Sequence, residues 1–277
     1  MICAMSDTVA QRNPGLGHST NRVGRSPDLL ASARFNSAPE PLQIHGVREM
    51  NPALFTMFDQ AESGAEAGEA LLSYMQAMFS IDPEQQEAPG GKRPFRSSFL
   101  RLLQGWSFNS NGPEGAVLKG WVESRFGIAP SFHKEVLTCM TCPAWQVYTS
   151  EKMQSRFHGN AIWTQLDLLY EAAQWVARHF TFPAQSHLTL YRGSNALEDH
   201  AILERPSKRE AVIRLNNLVS FSSEREVADC FGDKILTVEV PVVKVLSYPG
   251  LLPTRLLQGE REFLAIGGAY RVRIDDV

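Results

Sequence analysis

Near Pro183 the hydrophobic pattern of the chain changes period, and that switch constrains the fold more than any other feature of the sequence. Upstream, apolar residues recur every three to four positions. Across Asn160–Phe180 they fall at Ile162, Leu166, Leu169, Ala173, Val176 and Phe180, which is the spacing of one helix face. Asp167, Glu171, Gln174 and Arg178 fall between them and predict a solvated opposite face. Asn160 is the expected N-cap. A second amphipathic helix is expected over Glu114–Phe126, with Leu118, Trp121, Val122 and Phe126 inward. Pro83, Pro89, Gly90, Gly91 and Pro94 mark Ile81–Pro94 as a loop. Downstream of Pro183 the apolar runs are short and rich in β-branched and aromatic residues. His187–Tyr191, Leu218–Ser222, Ile235–Val240, Val242–Tyr248 and Glu260–Ile266 read as strands, with Tyr270–Ile274 a further candidate. Pro241 should mark a strand end, bulge or edge, because it donates no ladder hydrogen bond.

A helical part followed by a β-rich part predicts an α+β fold, here a β-rich core of two packed sheets. Three segments are expected. Residues 1–40, rich in Ser, Asn, Gly, Pro and Arg, read as a mobile arm. Residues 41–182 are mainly helical and 183–277 β-rich, the two packed as one domain. A formal net charge of −3 leaves no basic excess to meet phosphates, so a nucleic-acid partner is not expected. No apolar run approaches the roughly 20 residues of a membrane span, so no membrane partner is expected either. Met1–Ala10 lacks a basic stretch followed by an apolar one, the pattern of a secretion signal. Cys3, Cys139, Cys142 and Cys230 are too few for a disulfide scaffold, which fits a cytoplasmic location.

The β-rich part carries three motifs. Leu190-Tyr191-Arg192-Gly193 puts an arginine at a strand end before a glycine turn. Ser220-Phe221-Ser222-Ser223 puts hydroxyls at the end of another strand, with Val227, Ala228 and Phe231 on a short helix after it. Gln258-Gly259-Glu260-Arg261-Glu262-Phe263 sets two carboxylates two residues apart, and strand alternation would give them one face. Singly, each has a plain explanation: a surface ion pair, a helix cap, a solvated strand face. Their combination is what asks for chemistry.

Aromatic-Arg, then Ser-x-Ser, then Glu-x-Glu, in this order, resembles the arginine–serine–glutamate signature of the ADP-ribosyltransferases. Ala228 and Phe231 also fall where those enzymes have them. The text Ile44–Pro52, Leu102–Trp106 and Gly115–Trp121 is similar to one branch, the dinitrogenase reductase ADP-ribosyltransferase family of nitrogen-fixing bacteria. The resemblance covers most of the chain from about residue 40. It implies a cytoplasmic glycosyltransferase that moves ADP-ribose from NAD, as co-substrate, to an arginine of dinitrogenase reductase, inactivating it and so regulating nitrogen fixation. It further implies a PII-type nitrogen-signalling protein as activator. An arginine ADP-ribosyltransferase with another target, or a non-catalytic NAD-binding regulator, are the alternatives.

The resemblance also assigns roles. Glu262 would hydrogen-bond the 2′-hydroxyl of the nicotinamide ribose and answer the positive charge that develops as nicotinamide leaves, much as carboxylates do in glycoside hydrolysis. Arg192 would hold the phosphates of NAD, with Gly193 and Ser222 also lining the cofactor site. Ser220 would anchor the nicotinamide-ribose end and fix Glu262. A guanidinium stays protonated at neutral pH, so the acceptor needs a group to orient it and take its proton. Glu260 is the candidate, presented by the loop Pro249–Gly259. Phe221 stands where the commoner family text has a hydroxyl residue, and its side of the strand points to packing rather than to nicotinamide.

Other features are weaker. Cys139-x-x-Cys142 has a metal or redox spacing, but no second pair supplies four zinc ligands, and two free cysteines are the simpler reading. No metal is expected. His187 reads as a strand-edge residue, with a place near the cofactor as the alternative. Gly90-Gly91-Lys92 does not satisfy a phosphate-binding loop.

Overall fold

The computed structural model describes residues 21–81, 98–195, 201–253 and 261–276. The N-terminal half is helical: α1 (Pro27–Leu30), α2 (Ala33–Ser37), α3 (Val47–Met50), α4 (Pro52–Gln60), α5 (Gly64–Phe79), α6 (Phe99–Phe108) and α7 (Pro113–Phe126). A small hairpin, β1 (Phe132–His133) with β2 (Glu135–Val136), leads to α8 (Pro143–Gln154) and α9 (Asn160–Val176), the latter continued by a π turn over Ala177–Thr181. Local chemistry sets several ends. Ser63 and Ser98 accept from Glu66 N and Leu100 N at the starts of α5 and α6, and Pro113 and Pro143 open α7 and α8. Gly127, at φ 75°, closes α7 in the left-handed conformation that glycine tolerates. The cap of α9 is Gly159; Asn160, the expected cap, is its first helical residue.

The β-rich half comprises β3 (His187–Ser194), β4 (Ala201–Glu204), β5 (Glu210–Ser222), α10 (Arg225–Asp229), β6 (Lys234–Pro241), β7 (Val245–Ser247) and β8 (Glu262–Asp276). The order from helices to strands is the expected α+β one. Hydrogen bonds join the strands into a single six-stranded set rather than two separate sheets. The reason is the length of β8, which pairs with β5 along one edge and with β6 and β7 along the other. The segment read as one strand from Val242 to Tyr248 begins as a 3-10 turn over Val242–Lys244. Pro241 ends β6, as expected.

β5, β8, β6 and β3 pair in a ring, which closes through the single pair Tyr191↔Ser222. A β-bulge between Leu215 and Leu218 lets β5 follow this course. Opposite it, a Cβ on Gly267 would lie 1.6 Å from Asn216 O. Gly268, at φ 122°, brings the backbone against Ala31 O.

α9 is not the amphipathic surface helix that its pattern suggests. Asp167, Glu171 and Gln174 are 3%, 0% and 4% exposed. Asp167 accepts from Arg125 Nε (2.7 Å), Arg125 Nη2 (2.9 Å) and Trp121 Nε1 (2.7 Å). Glu171 accepts from Ile44 N and Arg48 Nε, each at 2.6 Å. Gln174 donates to Val242 O and Val245 O (3.0 and 2.8 Å). The polar stripe therefore clamps the N-terminal helices and the sheet to one central helix. α7 is likewise buried on nearly every face.

Residues 1–20 of the segment read as an arm lie outside the described residues. From Asn21 onward the segment is packed: Leu30 and Phe35 are 0% and 2% exposed. Asn36 Nδ2 donates to Ala269 O (2.8 Å), and Ala269 N to Ala31 O (2.7 Å). Truncation near Pro41 would thus open the core, not merely trim a tail.

Lys244 pins the same segment. Its buried Nζ donates to Leu30 O (2.6 Å) and Gly267 O (2.9 Å), between the rings of Phe35 and Tyr270. Burial pushes its ammonium down to about 7 from 10.5. Between those two values the folded chain has released a proton that the unfolded chain still holds, so stability rises with pH by up to about 1.4 kcal/mol per unit. Below about 7 this group contributes no pH dependence. Urea unfolding from pH 7 to pH 9.5 should therefore show a steeper rise for the natural chain than for Lys244→Met. Equal slopes would contradict this.

Candidate active site

Ring closure of the strands is what assembles the site. The pair Tyr191↔Ser222 brings the end of β3 beside the end of β5, and Ser222↔Glu262 sets the start of β8 on the other side of β5. Arg192, Ser220 and Glu262 thereby meet in one cleft of about 250 Å³, together with Gly193, Ser222, Ala228 and Phe231. Gly193 has a steric reason: a Cβ there would lie 2.2 Å from Ala228 O. Glycine lets the short helix α10 and the following Phe231 close over β3. Phe231 remains 52% exposed at this cleft, a free ring face for a flat ligand.

Glu262 is 4% exposed at the floor of the cleft. Its Oε1 accepts from the Ser220 hydroxyl and from Trp106 Nε1 (3.2 Å), and its Oε2 accepts from the Ser107 hydroxyl (3.0 Å). The same indole N–H also reaches Ser220 Oγ at 2.8 Å. Two neighbouring residues at the end of α6 thus fix the carboxylate together with the serine of β5. α6 arrives there because Ser98 caps it, because Phe99 N donates to Gln165 Oε1 of α9 (2.9 Å), and because Leu102, Leu103 and Trp106 form its buried stripe.

Behind Trp106 lies a second buried group. Lys119 Nζ, on α7, sits 5.8 Å from the Trp106 ring centroid and donates to Asn111 Oδ1 and Phe132 O, each at 3.1 Å. Burial lowers its ammonium to about 7, against the pull of Glu151. Asn217, in the β5 bulge, donates to Lys119 O (2.8 Å), tying this support to the sheet that carries Ser220 and Glu262.

Arg192 Nη1 donates to Ser220 O at 2.9 Å, while its enclosed Nε has no hydrogen-bond partner among the described residues. Burial lowers this guanidinium from its usual value and nearby Glu262 opposes the shift; an arginine stays protonated regardless. An enclosed cationic donor without an acceptor is the kind of site an anionic oxygen completes.

Of the residues singled out in the sequence, Arg192, Gly193, Ser220, Ser222 and Glu262 come together. Glu260 lies outside the described residues, as does most of the loop from Pro249 to Gly259. β8 begins at Glu262, and Arg261 before it takes φ 46°. Phe221 is 3% exposed and meets Tyr270 edge-on at 6.2 Å, so its ring packs in the core. His187 Nε2 is 2.8 Å from Asn36 O, in a groove with Glu239 and Arg271 instead of the cleft. Cys139 and Cys142 are free thiols, and Cys142 Sγ donates to Cys139 O (2.8 Å). Among the described residues no group of three or more His, Cys, Asp or Glu side chains could hold a metal. No helix among them is long and apolar enough to cross a membrane. Trp106 and Ser107 are the site residues that motif reading missed. Their signal was a tryptophan–serine pair ending an amphipathic helix, some 150 positions from Glu262 in sequence.

Residues 20–274 match the family model described as dinitrogenase reductase ADP-ribosyltransferase (DRAT). The chain is also 53% identical, over 269 residues, to the NAD(+)–dinitrogen-reductase ADP-D-ribosyltransferase of Rhodospirillum rubrum, covering 96% of this chain and 98% of that protein. No solved structure matches it.

Proposed function

The chain belongs to the dinitrogenase reductase ADP-ribosyltransferase family, and from that premise we propose how its cleft works. It is an ADP-ribosyltransferase that takes ADP-ribose from NAD and transfers it to dinitrogenase reductase, at an arginine. The observation that carries the reading is the Glu262 carboxylate, buried and held by Ser220, Trp106 and Ser107 beside the incompletely satisfied Arg192. NAD supplies a sugar whose bond to nicotinamide breaks with positive charge building at the anomeric carbon. A carboxylate fixed beforehand needs no reorganisation to answer that charge, so its contribution grows toward the transition state. Arg192, with Nη1 on Ser220 O and an enclosed Nε that lacks a partner among the described residues, is the cation that would meet the phosphates of NAD. A cavity of about 250 Å³ suits the nicotinamide-ribose end, with the rest of the dinucleotide lying outward. Glu260 would take the proton from the acceptor guanidinium.

By family resemblance we extend the reading to a PII-type nitrogen-signalling protein as activator. The free thiols of Cys139, Cys142 and Cys230 support a cytoplasmic setting. Incubation with labelled NAD and purified dinitrogenase reductase tests the proposal. One nicotinamide should be released per label incorporated, with loss of reductase activity in proportion. Label that enters other proteins but not dinitrogenase reductase would shift the reading to a different target.

A further inference from the structure

Cys139 and Cys142 stand at the two ends of one tight turn. Cys142 N donates to Cys139 O at 3.4 Å across Met140 and Thr141, and Cys142 Sγ reaches the same carbonyl at 2.8 Å. A turn closed in this way keeps its outer Cα atoms within about 7 Å, and a disulfide spans about 4.4–6.8 Å. The Cys139 side chain is also close enough to hydrogen-bond the Cys142 thiol. Two sulfurs so placed can join with little backbone movement.

The two are not equivalent. Cys142 is the N-cap of α8, a 12-residue helix opened by Pro143, and its extended backbone (φ −73°, ψ 155°) sets the sulfur ahead of the first turn. Unpaired N–H groups and the helix dipole favour a negative sulfur there. Backbone hydrogen bonds from Cys139 and Trp145, assisted by the Cys139 and Thr138 side chains, pull its thiol down to about 7 from 9.0. Cys139 lies before the turn, and its Sγ sits 3.6 Å from the Thr141 hydroxyl. The turn is anchored yet reachable. Cys142 and Trp145 pack against Ala116, Leu137, Ala144 and Tyr148, while both cysteines stay partly exposed. Among the described residues they belong to no group of three or more possible metal ligands, so chemistry between the two sulfurs suits them better than ion binding.

We propose that Cys139 and Cys142 form a reversible dithiol–disulfide pair, a modification site separate from the transfer cleft, with Cys142 as the attacking sulfur and a small disulfide of the glutathione type as oxidant. The Cys142 thiolate attacks one sulfur of the oxidant, whose other half leaves as a thiolate. Cys139 then gives its proton to solvent and displaces the remaining half as a second thiolate. One S–S bond is gained by the protein as one is lost by the oxidant, and two electrons pass from the cysteine pair to it. The turn and α8 supply none of the residues that line the cleft, so the pair stands whatever the cleft transfers.

The test incubates the reduced full chain with oxidised glutathione near neutral pH, blocks the remaining thiols with a maleimide, and maps the peptides by mass spectrometry. A Cys139–Cys142 disulfide should form and reopen with dithiothreitol. Cys139→Ser should stop at a glutathione adduct on Cys142. In Cys142→Ser, Cys139 should take up glutathione at least about ten-fold more slowly than Cys142 does in Cys139→Ser, because it lacks the helix terminus that favours the thiolate. Glutathione adducts that persist on the natural chain with no internal disulfide would overturn the pair, as would bonds formed only between chains or no reaction at all. Equal rates in the two single variants would overturn the role given to Cys142.

Discussion

Glu262→Gln should lower nicotinamide release and transfer to dinitrogenase reductase together, by about 100-fold or more, the usual cost of one preorganised electrostatic contact. The substitution is nearly isosteric, and the cleft can accept it. The amide oxygen can take the Oε1 position facing Ser220 and Trp106, while the amide nitrogen faces the Ser107 hydroxyl, which turns from donor to acceptor. What is lost is the negative charge, so NAD binding should change by no more than a few-fold while kcat falls. Steady-state kinetics beside calorimetry for NAD separates the two. A variant with lowered NAD affinity and normal kcat would assign Glu262 to ground-state binding.

Glu260→Gln should behave differently. Glu262 and its three donors are untouched, so the bond to nicotinamide still breaks and water can replace the acceptor. The incoming guanidinium, protonated at any working pH, loses the group that takes its proton. Transfer to dinitrogenase reductase should fall by about 100-fold or more while slow nicotinamide release without acceptor persists. The measurement is the ratio of label incorporated to nicotinamide released. If that ratio matches the natural protein at a uniformly lower rate, the two glutamates act as one unit.

The strand-borne half of the site was legible because each residue sits in a short local pattern. Arg192-Gly193, Ser220-x-Ser222 and Glu262 each end or begin a strand, and order along the chain sufficed to group them. Their assembly was not legible. It depends on one cross-strand pair, Tyr191↔Ser222, and on β8 pairing along both edges, neither of which leaves a local mark. Trp106 and Ser107 were hidden for the same reason, since only tertiary packing brings α6 to Glu262. The period of α9 correctly gave a helix, yet its polar stripe was misread as solvated. Spacing alone does not distinguish a wet face from one whose Asp167, Glu171 and Gln174 are matched by internal donors and acceptors. Residues 21–40 were misjudged on composition, because Leu30 and Phe35 are enough to anchor a short segment once Lys244 and Ala269 meet its backbone.

Mapping the modified residue by fragmentation, after incubation of the chain with labelled NAD and dinitrogenase reductase, bears most directly on the central claim. The expected result is label on an arginine side chain, and almost none in the same time with Glu262→Gln. Label on another residue type, or the same arginine modified at an undiminished rate by Glu262→Gln, would contradict a transfer centred on that carboxylate.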